Sequence, residues 1–337
     1  MSKPPMSPKR RFLTAMLGGK VDRVPVGNVV SVITVELMEI AQAWFPEAHL
    51  NSETMARLAT VSYEVLGYDT VMPIASVTQE ASALGCEVDW GAPDLMPTVK
   101  THPFAEMQEF RIPKGWIEAP AVQVVLDALE YLRKAYGERV IVVGKVMGPW
   151  TLSYHMMGVE NFLISTLQEP ARARRSLEIL KSVTIDFAIA QMQAGADVIC
   201  LADHATGGMV SPFMYRDLLL PIHQEIIEEI GCPTILHCCG DTTDRLRYFV
   251  ETGIDCYHFE SQVNVDQAVS IAVGEMTLIG NINNPEVLLV GTPEQVAEAC
   301  HEAIEGGVQI LSPECAVPLT TPIENLQTLV EVAEGKL

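Results

Sequence analysis

Short apolar segments rich in valine and isoleucine recur along the chain and alternate with longer amphipathic segments. Short runs bounded by turn residues are typical of buried strands, whereas apolar residues three and four positions apart are typical of helices. The pattern predicts these strands: Arg23–Val30, Thr70–Ile74, Val140–Lys145, Asp197–Leu201, Pro233–His237, Cys256–Phe259, Thr277–Gly280 and Gln309–Leu311. Strands that alternate with helices in this way predict an α/β fold, a (β/α)8 TIM barrel with right-handed crossovers between parallel strands.

Two of the connecting helices have clear ends in the sequence. They are predicted at Pro120–Tyr136 and at Pro170–Ala194, each with proline in its first turn and glycine after its last residue. Turn residues are dense between about residues 51 and 118, where a short β excursion is predicted at Cys86–Trp90. We therefore expect a single domain over residues 1–337, a barrel with an N-terminal extension and an insertion after the second strand.

The charge balance excludes several classes of partner. With 43 acidic and 22 basic residues, the formal net charge is −21. Nucleic-acid binding depends on clustered lysine and arginine, and an anionic lipid surface repels an acidic protein. No apolar run has the length of a spanning helix, and the N-terminus carries no secretion signal. We expect a cytoplasmic protein that binds neither nucleic acid nor membranes.

The predicted strand ends carry one group of soft metal ligands. In a TIM barrel the reactive groups lie at the carboxyl ends of the strands. His237 and Cys239 flank one residue at the end of the fifth predicted strand, so their side chains are expected on the same side. Cys315 follows the last strand and reaches the same rim. One imidazole and two thiolates favour zinc, and three protein ligands with an exchangeable fourth position are typical of a catalytic site.

The other cysteines are expected to be structural. The chain has eight cysteines and no signal for secretion, so reduced thiols are expected rather than disulfides. Cys238 should point away from its two neighbours if the strand pleat continues. A free cysteine in that position behaves as a small apolar residue, so Cys238 is predicted to be packed rather than to bind the metal.

Two carboxylates on the same rim allow two interpretations each. Glu260 follows the sixth predicted strand and either occupies the fourth metal position when substrate is absent or caps the next helix. Asp203 ends the fourth strand and is either a catalytic residue that accepts a hydrogen bond from a ligand or from His237, or a helix N-cap or loop anchor. Weaker candidates near this rim are Asn281, Lys145 and Glu80.

Two thiolate ligands change what a zinc ion can do. They donate electron density to the metal and reduce its acidity toward water, so the site suits a substrate thiol held as its thiolate. With so much negative charge around the ion, the bound sulfur stays nucleophilic. Alkyl transfer to sulfur is the chemistry that this ligand set favours.

Several motifs resemble a known family over almost the whole chain. They are RRFLTAMLGGKVDRVPV near the start, EASALGCEV at 80–88, AGADVICLAD, HCCG at 237–240 and PLTTPIENL near the end. These segments are similar to the uroporphyrinogen decarboxylase superfamily, and within it to the methylcobamide:coenzyme M methyltransferases. The most specific element of the resemblance is His237-x-Cys239 paired with Cys315.

The resemblance implies a (β/α)8 barrel and a zinc-dependent methyltransferase. In that family the positions of the three predicted ligands bind zinc, and the glutamate that matches Glu260 is a further ligand. The metal activates the thiol of coenzyme M, which accepts a methyl group from a methylated corrinoid (methylcobamide) carried by a partner protein. Asp203 and Asn281 would then help to orient the acceptor or the corrinoid.

Three alternatives remain at this point. Some bacterial relatives transfer the methyl group to tetrahydrofolate, so the zinc motif does not fix the acceptor. The decarboxylase branch binds a porphyrinogen through N-terminal arginines, but this chain has only Arg23, Arg57 and Lys100 between Val21 and Phe110, and its net charge repels a polyanion. A non-enzymatic corrinoid or metal carrier is the third, and no residue supports it directly.

Overall fold

Parallel strands form the centre of the molecule, in a computed structural model that describes residues 5–105 and 110–337. Within these residues the strands are β1 (Thr70–Val71), β2 (Val88–Asp89), β3 (Thr98–Val99), β4 (Ile141–Met147), β5 (Val198–Ala202), β6 (Thr234–His237), β7 (Cys256–Phe259), β8 (Thr277–Ile282) and β9 (Ile310–Pro313). A seven-stranded parallel sheet has the order β1, β4, β5, β6, β7, β8, β9. The antiparallel pair β2 and β3 lies in the sequence between β1 and the helix at Pro120–Tyr136. Strand β2 falls within the predicted β excursion at Cys86–Trp90.

Helices connect these strands. In the described chain they are α1 (Pro8–Met16), α2 (Val35–Ala41), α3 (Glu47–Leu50), α4 (Ser52–Ala59), α5 (Val61–Glu64), α6 (Gln79–Ala83), α7 (Pro120–Tyr136), α8 (Pro149–Met157), α9 (Val159–Gln168), α10 (Pro170–Gln193), α11 (Pro212–Met214), α12 (Leu220–Ile230), α13 (Leu246–Glu251), α14 (Val265–Ala272), α15 (Pro293–Glu305) and α16 (Ile323–Ala333). Short 3-10 turns lie at Trp116–Glu118 and Thr243–Arg245, and π-helical turns at Tyr215–Leu219 and Asn284–Leu289. The prediction for α7 is confirmed, and α10 ends one residue before its predicted end.

The first predicted strand is reduced to a single bridge. Val26 pairs in parallel with Leu311 of β9, and its carbonyl accepts the N–H of Asp69 next to β1. A longer ladder does not form because the Asp69 carboxylate accepts the N–H of Val26 and Pro25 has no N–H to donate. The predicted strand at Arg23–Val30 is therefore wrong in extent, although this segment still closes the ring between β9 and β1.

The interior of the ring is apolar at the amino ends of the strands, its lower end, and polar at their carboxyl ends, its upper end. Successive side chains of a strand point to opposite faces, so every second residue enters the interior. The layers near the amino ends form one apolar cluster, closed by α1: Phe12, Ala15, Met16, Val29, Met72, Ile141, Val143, Val198, Cys200, Ile235, Cys256, Ile279 and Ile310. The same alternation continued toward the carboxyl ends reaches Lys145, His237, His258, Asn281 and Ser312.

This arrangement is a TIM-barrel-type fold, which confirms the predicted fold class. The N-terminal extension, the insertion after the second strand and the single-domain boundary remain predictions. Among the described residues, no helix combines the length and the apolar character needed to cross a membrane.

Candidate metal centre

Three side chains meet at the carboxyl end of the ring. His237 is the last residue of β6, Cys239 lies two residues later, and Cys315 lies two residues beyond β9. The Nε2 of His237 is 3.1 Å from the Sγ of Cys239 and 3.5 Å from the Sγ of Cys315, and the two sulfurs are 3.5 Å apart. The predicted ligand residues are thus brought to one point by two strands that lie far apart in the sequence.

The spacing of these three donors fits a tetrahedral metal ion. Bonds of about 2.3 Å to sulfur and about 2.0 Å to nitrogen place the ligand atoms of a zinc site roughly 3.5–3.8 Å apart. The observed separations of 3.1 to 3.5 Å are slightly shorter, so an ion needs only a small opening of the triangle. Within residues 5–105 and 110–337, no second group of three histidine, cysteine or carboxylate side chains is close enough to hold an ion.

The two sulfurs of the centre differ in how readily they lose a proton. The hydrogen bond from Cys239, together with the nearby imidazole of His237, holds the pKa of Cys315 well below its ordinary value. The same hydrogen bond and burial raise the pKa of Cys239. Cys315 is therefore the first to become a thiolate, and metal binding must displace the proton of Cys239, because zinc binds the thiolate form.

A second histidine lies beside the first. His258 is the register partner of His237 on β7, and the ring centroids are 4.7 Å apart. Its Nε2 donates to the carbonyl oxygen of Pro313 at 2.8 Å. Burial and the neighbouring His237 lower the pKa of His258 to about 3, so this ring is neutral. His258 therefore places a polar ring next to the metal centre without adding charge.

Glu260 lies next to the three donors but not within their cluster. Burial, followed by the charge of Cys315, raises the pKa of its carboxyl group. The helix-cap interpretation is wrong, because the side chain of Asn264 caps α14 by accepting the N–H of Gln267. The interpretation as a fourth metal ligand remains a prediction.

The Asp203 carboxylate is fully engaged by protein groups. Its Oδ1 accepts the N–H of Thr151 at 2.7 Å and the hydroxyl of the same residue at 3.0 Å. Its Oδ2 accepts the N–H of Trp150 at 3.3 Å and pairs with the Nε2 of His223 at 2.9 Å. Both amides belong to the first turn of α8, so the Asp203 carboxylate anchors that helix. The contact of Asp203 with His237 is through the backbone alone, where the N–H of Asp203 donates to the carbonyl oxygen of His237. A direct part in orienting the acceptor remains a prediction.

A cavity of about 120 Å³ opens in front of the three donors. Its lining includes the polar residues Lys145, Thr151, Asp203, His204, His237, Cys239 and Cys315 and the apolar residues Val30, Ala75, Val77, Met147, Ala202 and Ala316. Cys238 and Asn281 are not among the described residues of this lining. Cys238 is packed in the main apolar core, as predicted. Asn281 is buried in β8, and its predicted role in cofactor binding remains untested.

Comparison with known proteins places this centre in a family. The model of the uroporphyrinogen decarboxylase (URO-D) family matches residues 7–335. The chain belongs to the uroporphyrinogen decarboxylase family.

Several relatives with known names are methyltransferases. A methylated-thiol:coenzyme M methyltransferase of Methanosarcina mazei is 36% identical over 98% of this chain and 89% of that protein. A methylcobamide:CoM methyltransferase, MtaA, of Methanosarcina barkeri is 31% identical over 96% of each chain. The solved structure of a methyltransferase from Methanosarcina mazei has a TM-score of 0.95 at 30% identity and covers 98% of this chain and 99% of that one. The resemblance inferred from the motifs and the expectation of a methyltransferase are confirmed.

Part of the site in this family member was not predicted from the sequence. His223 lies on the buried face of α12, and its Nδ1 is 2.8 Å from the hydroxyl of Tyr215, so a buried chain of three polar groups ends at Asp203. No strand end marks His223, and its only signal is a histidine on the buried face of a helix. Gly148 also belongs to this arrangement, because a Cβ at that position would lie 2.2 Å from the Cγ of Asp203.

Proposed function

We propose that this protein is a zinc-dependent methyltransferase that moves a methyl group from a methylated corrinoid protein to a thiol acceptor, with coenzyme M as the preferred acceptor. The observation that carries the proposal is the convergence of the Nε2 of His237 and the two sulfurs of Cys239 and Cys315 within 3.5 Å of one another. The names of the two relatives, a methylated-thiol:coenzyme M methyltransferase and a methylcobamide:CoM methyltransferase, support the donor and the acceptor.

His237, Cys239 and Cys315 would hold the metal, and Glu260 would complete or vacate a fourth position. When bound, zinc supplies a Lewis acid of low acidity toward water that favours the thiolate form of a substrate thiol. The apolar residues that line the cavity would limit access of water to that sulfur. In the transfer the acceptor sulfur forms the new bond to the methyl carbon, and the corrinoid retains the electron pair of the broken cobalt–carbon bond.

The volume of the cavity favours a small acceptor. A cavity of roughly 150 Å³ in another protein takes a single benzene ring, and drug-sized ligands need about 300 Å³ or more. At about 120 Å³ the cavity matches a thiol of a few heavy atoms better than a pterin or a tetrapyrrole. We therefore prefer coenzyme M to tetrahydrofolate, and no observation on the site favours the decarboxylase or a non-enzymatic carrier.

The remaining parts of the proposal concern the setting of the reaction. The methyl donor would be presented by a separate corrinoid protein, because the cavity is too small to hold a corrinoid. We propose a cytoplasmic location, since the acceptor thiol and the metal-binding cysteines both require a reducing compartment.

The decisive experiment follows the loss of the methylcobalamin spectrum in the presence of purified protein. Coenzyme M and tetrahydrofolate are supplied in parallel reactions, and the metal content of the protein is measured in the same preparation. We expect about one zinc per chain and turnover with coenzyme M that disappears after chelation. Turnover with tetrahydrofolate alone, or turnover of uroporphyrinogen by zinc-free protein, would contradict the proposal.

A further inference from the structure

A buried lysine lines the same cavity as the metal centre. Lys145 belongs to β4, and its register partner on β5 is Cys200, one layer below the level of His237. The residue is only 3% exposed, yet it lines the cavity together with Cys239 and Cys315. It is also the only lysine or arginine among the described residues of that lining.

The ammonium group of Lys145 is poorly satisfied by the protein. Its one hydrogen bond within the described residues goes to the carbonyl oxygen of Val30, at 3.3 Å. An ammonium group can donate three hydrogen bonds, so two donors remain for other partners. A buried charge without a partner is costly, and buried lysines are therefore normally paired. The ammonium group thus has donors available for an acceptor in the cavity, where the nearby charges of Cys315 and Cys239 also favour its protonated form.

The carboxylates near Lys145 do not meet this requirement. In the part of the chain that the structure describes, no carboxylate forms an ion pair with Lys145. Glu80 is near enough for their charges to interact, but its Oε1 accepts the N–H of Met147, and burial raises its pKa toward the neutral form. The Asp203 carboxylate already accepts hydrogen bonds from backbone N–H groups of α8 and pairs with His223. Desolvation lowers the pKa of Lys145 to about 8, which leaves it largely charged at neutral pH.

We propose that Lys145 binds the anionic tail of the methyl acceptor, a short thiol that carries a sulfonate or a carboxylate at its far end. This inference rests on the proposed function, because it places the thiol of the same molecule at His237, Cys239 and Cys315. The thiol and the anion would then bind to different residues of the same cavity lining, and the short aliphatic chain between them would contact the apolar residues of the cavity. In a protein of net charge −21, one local cation is needed to attract an anionic substrate.

The test compares anionic and neutral thiols on the zinc-loaded protein. Binding of 2-mercaptoethanesulfonate, 3-mercaptopropionate and 2-mercaptoethanol is measured by calorimetry for the wild type, Lys145→Met and Lys145→Arg. We expect Lys145→Met to weaken binding of the better anionic thiol at least about tenfold, the scale of one charge-assisted hydrogen bond. Binding of the neutral thiol should change less than about twofold, and Lys145→Arg should retain the preference for the anion.

The ratio of the two affinities within one variant guards against a general loss of structure. A Lys145→Met protein that binds the neutral thiol normally is folded at the site. Equal weakening of all three thiols, or loss of zinc from Lys145→Met, would overturn the inference, because Lys145 would then serve the metal centre and not the tail. An unchanged affinity for both anionic thiols would overturn it as well. The preference between sulfonate and carboxylate in the wild type identifies the tail.

A second measurement uses a ligand without a thiol, on the wild type and on Lys145→Met, and separates this inference from the proposed function. Ethanesulfonate carries the anion without a thiol, so its binding to metal-free protein depends on the anion site alone. We expect ethanesulfonate to bind the wild type and to compete with 2-mercaptoethanesulfonate, whereas ethanol does neither. Failure of ethanesulfonate to bind would overturn the role of Lys145 even if methyl transfer occurs. Binding that depends on Lys145 in a protein without methyl transfer would overturn the proposed function and leave the anion site standing.

Discussion

The lower and upper halves of the barrel interior are built from the same strands but serve different purposes. In the lower half the inward residues are aliphatic, and Phe12, Ala15 and Met16 of α1 close the end of the ring. In the upper half the next inward positions are His237, His258 and other polar residues. One strand such as β6 therefore supplies an apolar side chain below and a candidate metal ligand two residues above.

The difference shows how a TIM-type barrel separates stability from chemistry. The apolar layers bury aliphatic surface, which stabilises the fold in proportion to the area removed from water. The polar layer has unpaired buried atoms, including the Nδ1 of His237, the Nδ1 of His258 and the hydroxyl of Ser312. Such groups cost stability unless a ligand satisfies them. We expect substitutions in the two halves to have separable effects, and four substitutions test this.

The largest effect on stability is expected from Phe12→Ala in the lower half. Phe12 is fully buried at the closed end of the ring, so its removal should cost about 3–5 kcal/mol of unfolding free energy through lost burial and a residual cavity. Urea denaturation measures the loss, and the zinc content of the folded protein should not change. Phe213→Ala is the matched control, since Phe213 is 63% exposed and should cost less than about 1 kcal/mol. Loss of zinc from folded Phe12→Ala would show that the halves are not separable.

In the upper half, Cys239→Ala should remove the metal. Two remaining donors cannot hold a tetrahedral zinc ion, so we expect the zinc affinity to fall by at least about 100-fold and methyl transfer to be lost. Metal analysis after dialysis measures the first effect, and the methylcobalamin assay measures the second. Cys238→Ala is a close control, because this neighbouring thiol is packed in the core and should leave the zinc content unchanged. Full zinc occupancy in Cys239→Ala would contradict the proposed centre.

Asp203→Asn tests whether a residue beside the metal centre serves the stability of the fold or the chemistry of the site. The amide can still accept hydrogen bonds on one side, but its NH2 group faces donors of α8 or His223, so one buried donor loses its acceptor. We expect a loss of about 1–3 kcal/mol in unfolding free energy with unchanged zinc content. Asp217→Asn, at an exposed carboxylate, is the control and should have little effect. Unchanged stability combined with a large loss of methyl transfer would instead identify Asp203 as a catalytic residue.

The fold was predictable because its strands are marked by local patterns. Buried runs such as Cys256–Phe259 and the proline and glycine boundaries of α7 depend only on neighbouring residues. The first strand was not predictable in extent, because the Asp69 carboxylate takes over the N–H of Val26 from 43 residues away. Interactions of that range leave no local trace in a sequence.

The candidate site divides in the same way. His237, Cys239 and Cys315 were predictable because soft ligands at strand ends must share one rim. The hydrogen bond between His223 and the Asp203 carboxylate was not predictable, since it depends on how α12 packs against the barrel. Lys145 received little weight from the sequence, because its significance lies in a cavity wall and in hydrogen bonds that it does not form. Sequence reasoning thus finds the residues that a strand end presents and misses those whose role depends on packing.

The smallest of the four effects is expected from Glu260→Gln, which asks whether the polar half contains a fourth metal ligand. Glu260 is close enough to Cys315 for their charges to interact, and an amide oxygen is a weaker ligand for zinc than a carboxylate. We expect the zinc affinity to fall about tenfold while zinc still binds through His237, Cys239 and Cys315. Competition with a chromophoric chelator measures the affinity, and Asp241→Asn on the same rim is the control. A change below about twofold in Glu260→Gln would assign the fourth position to the substrate thiol alone, because the carboxylate would then contribute neither a bond nor charge to the bound ion.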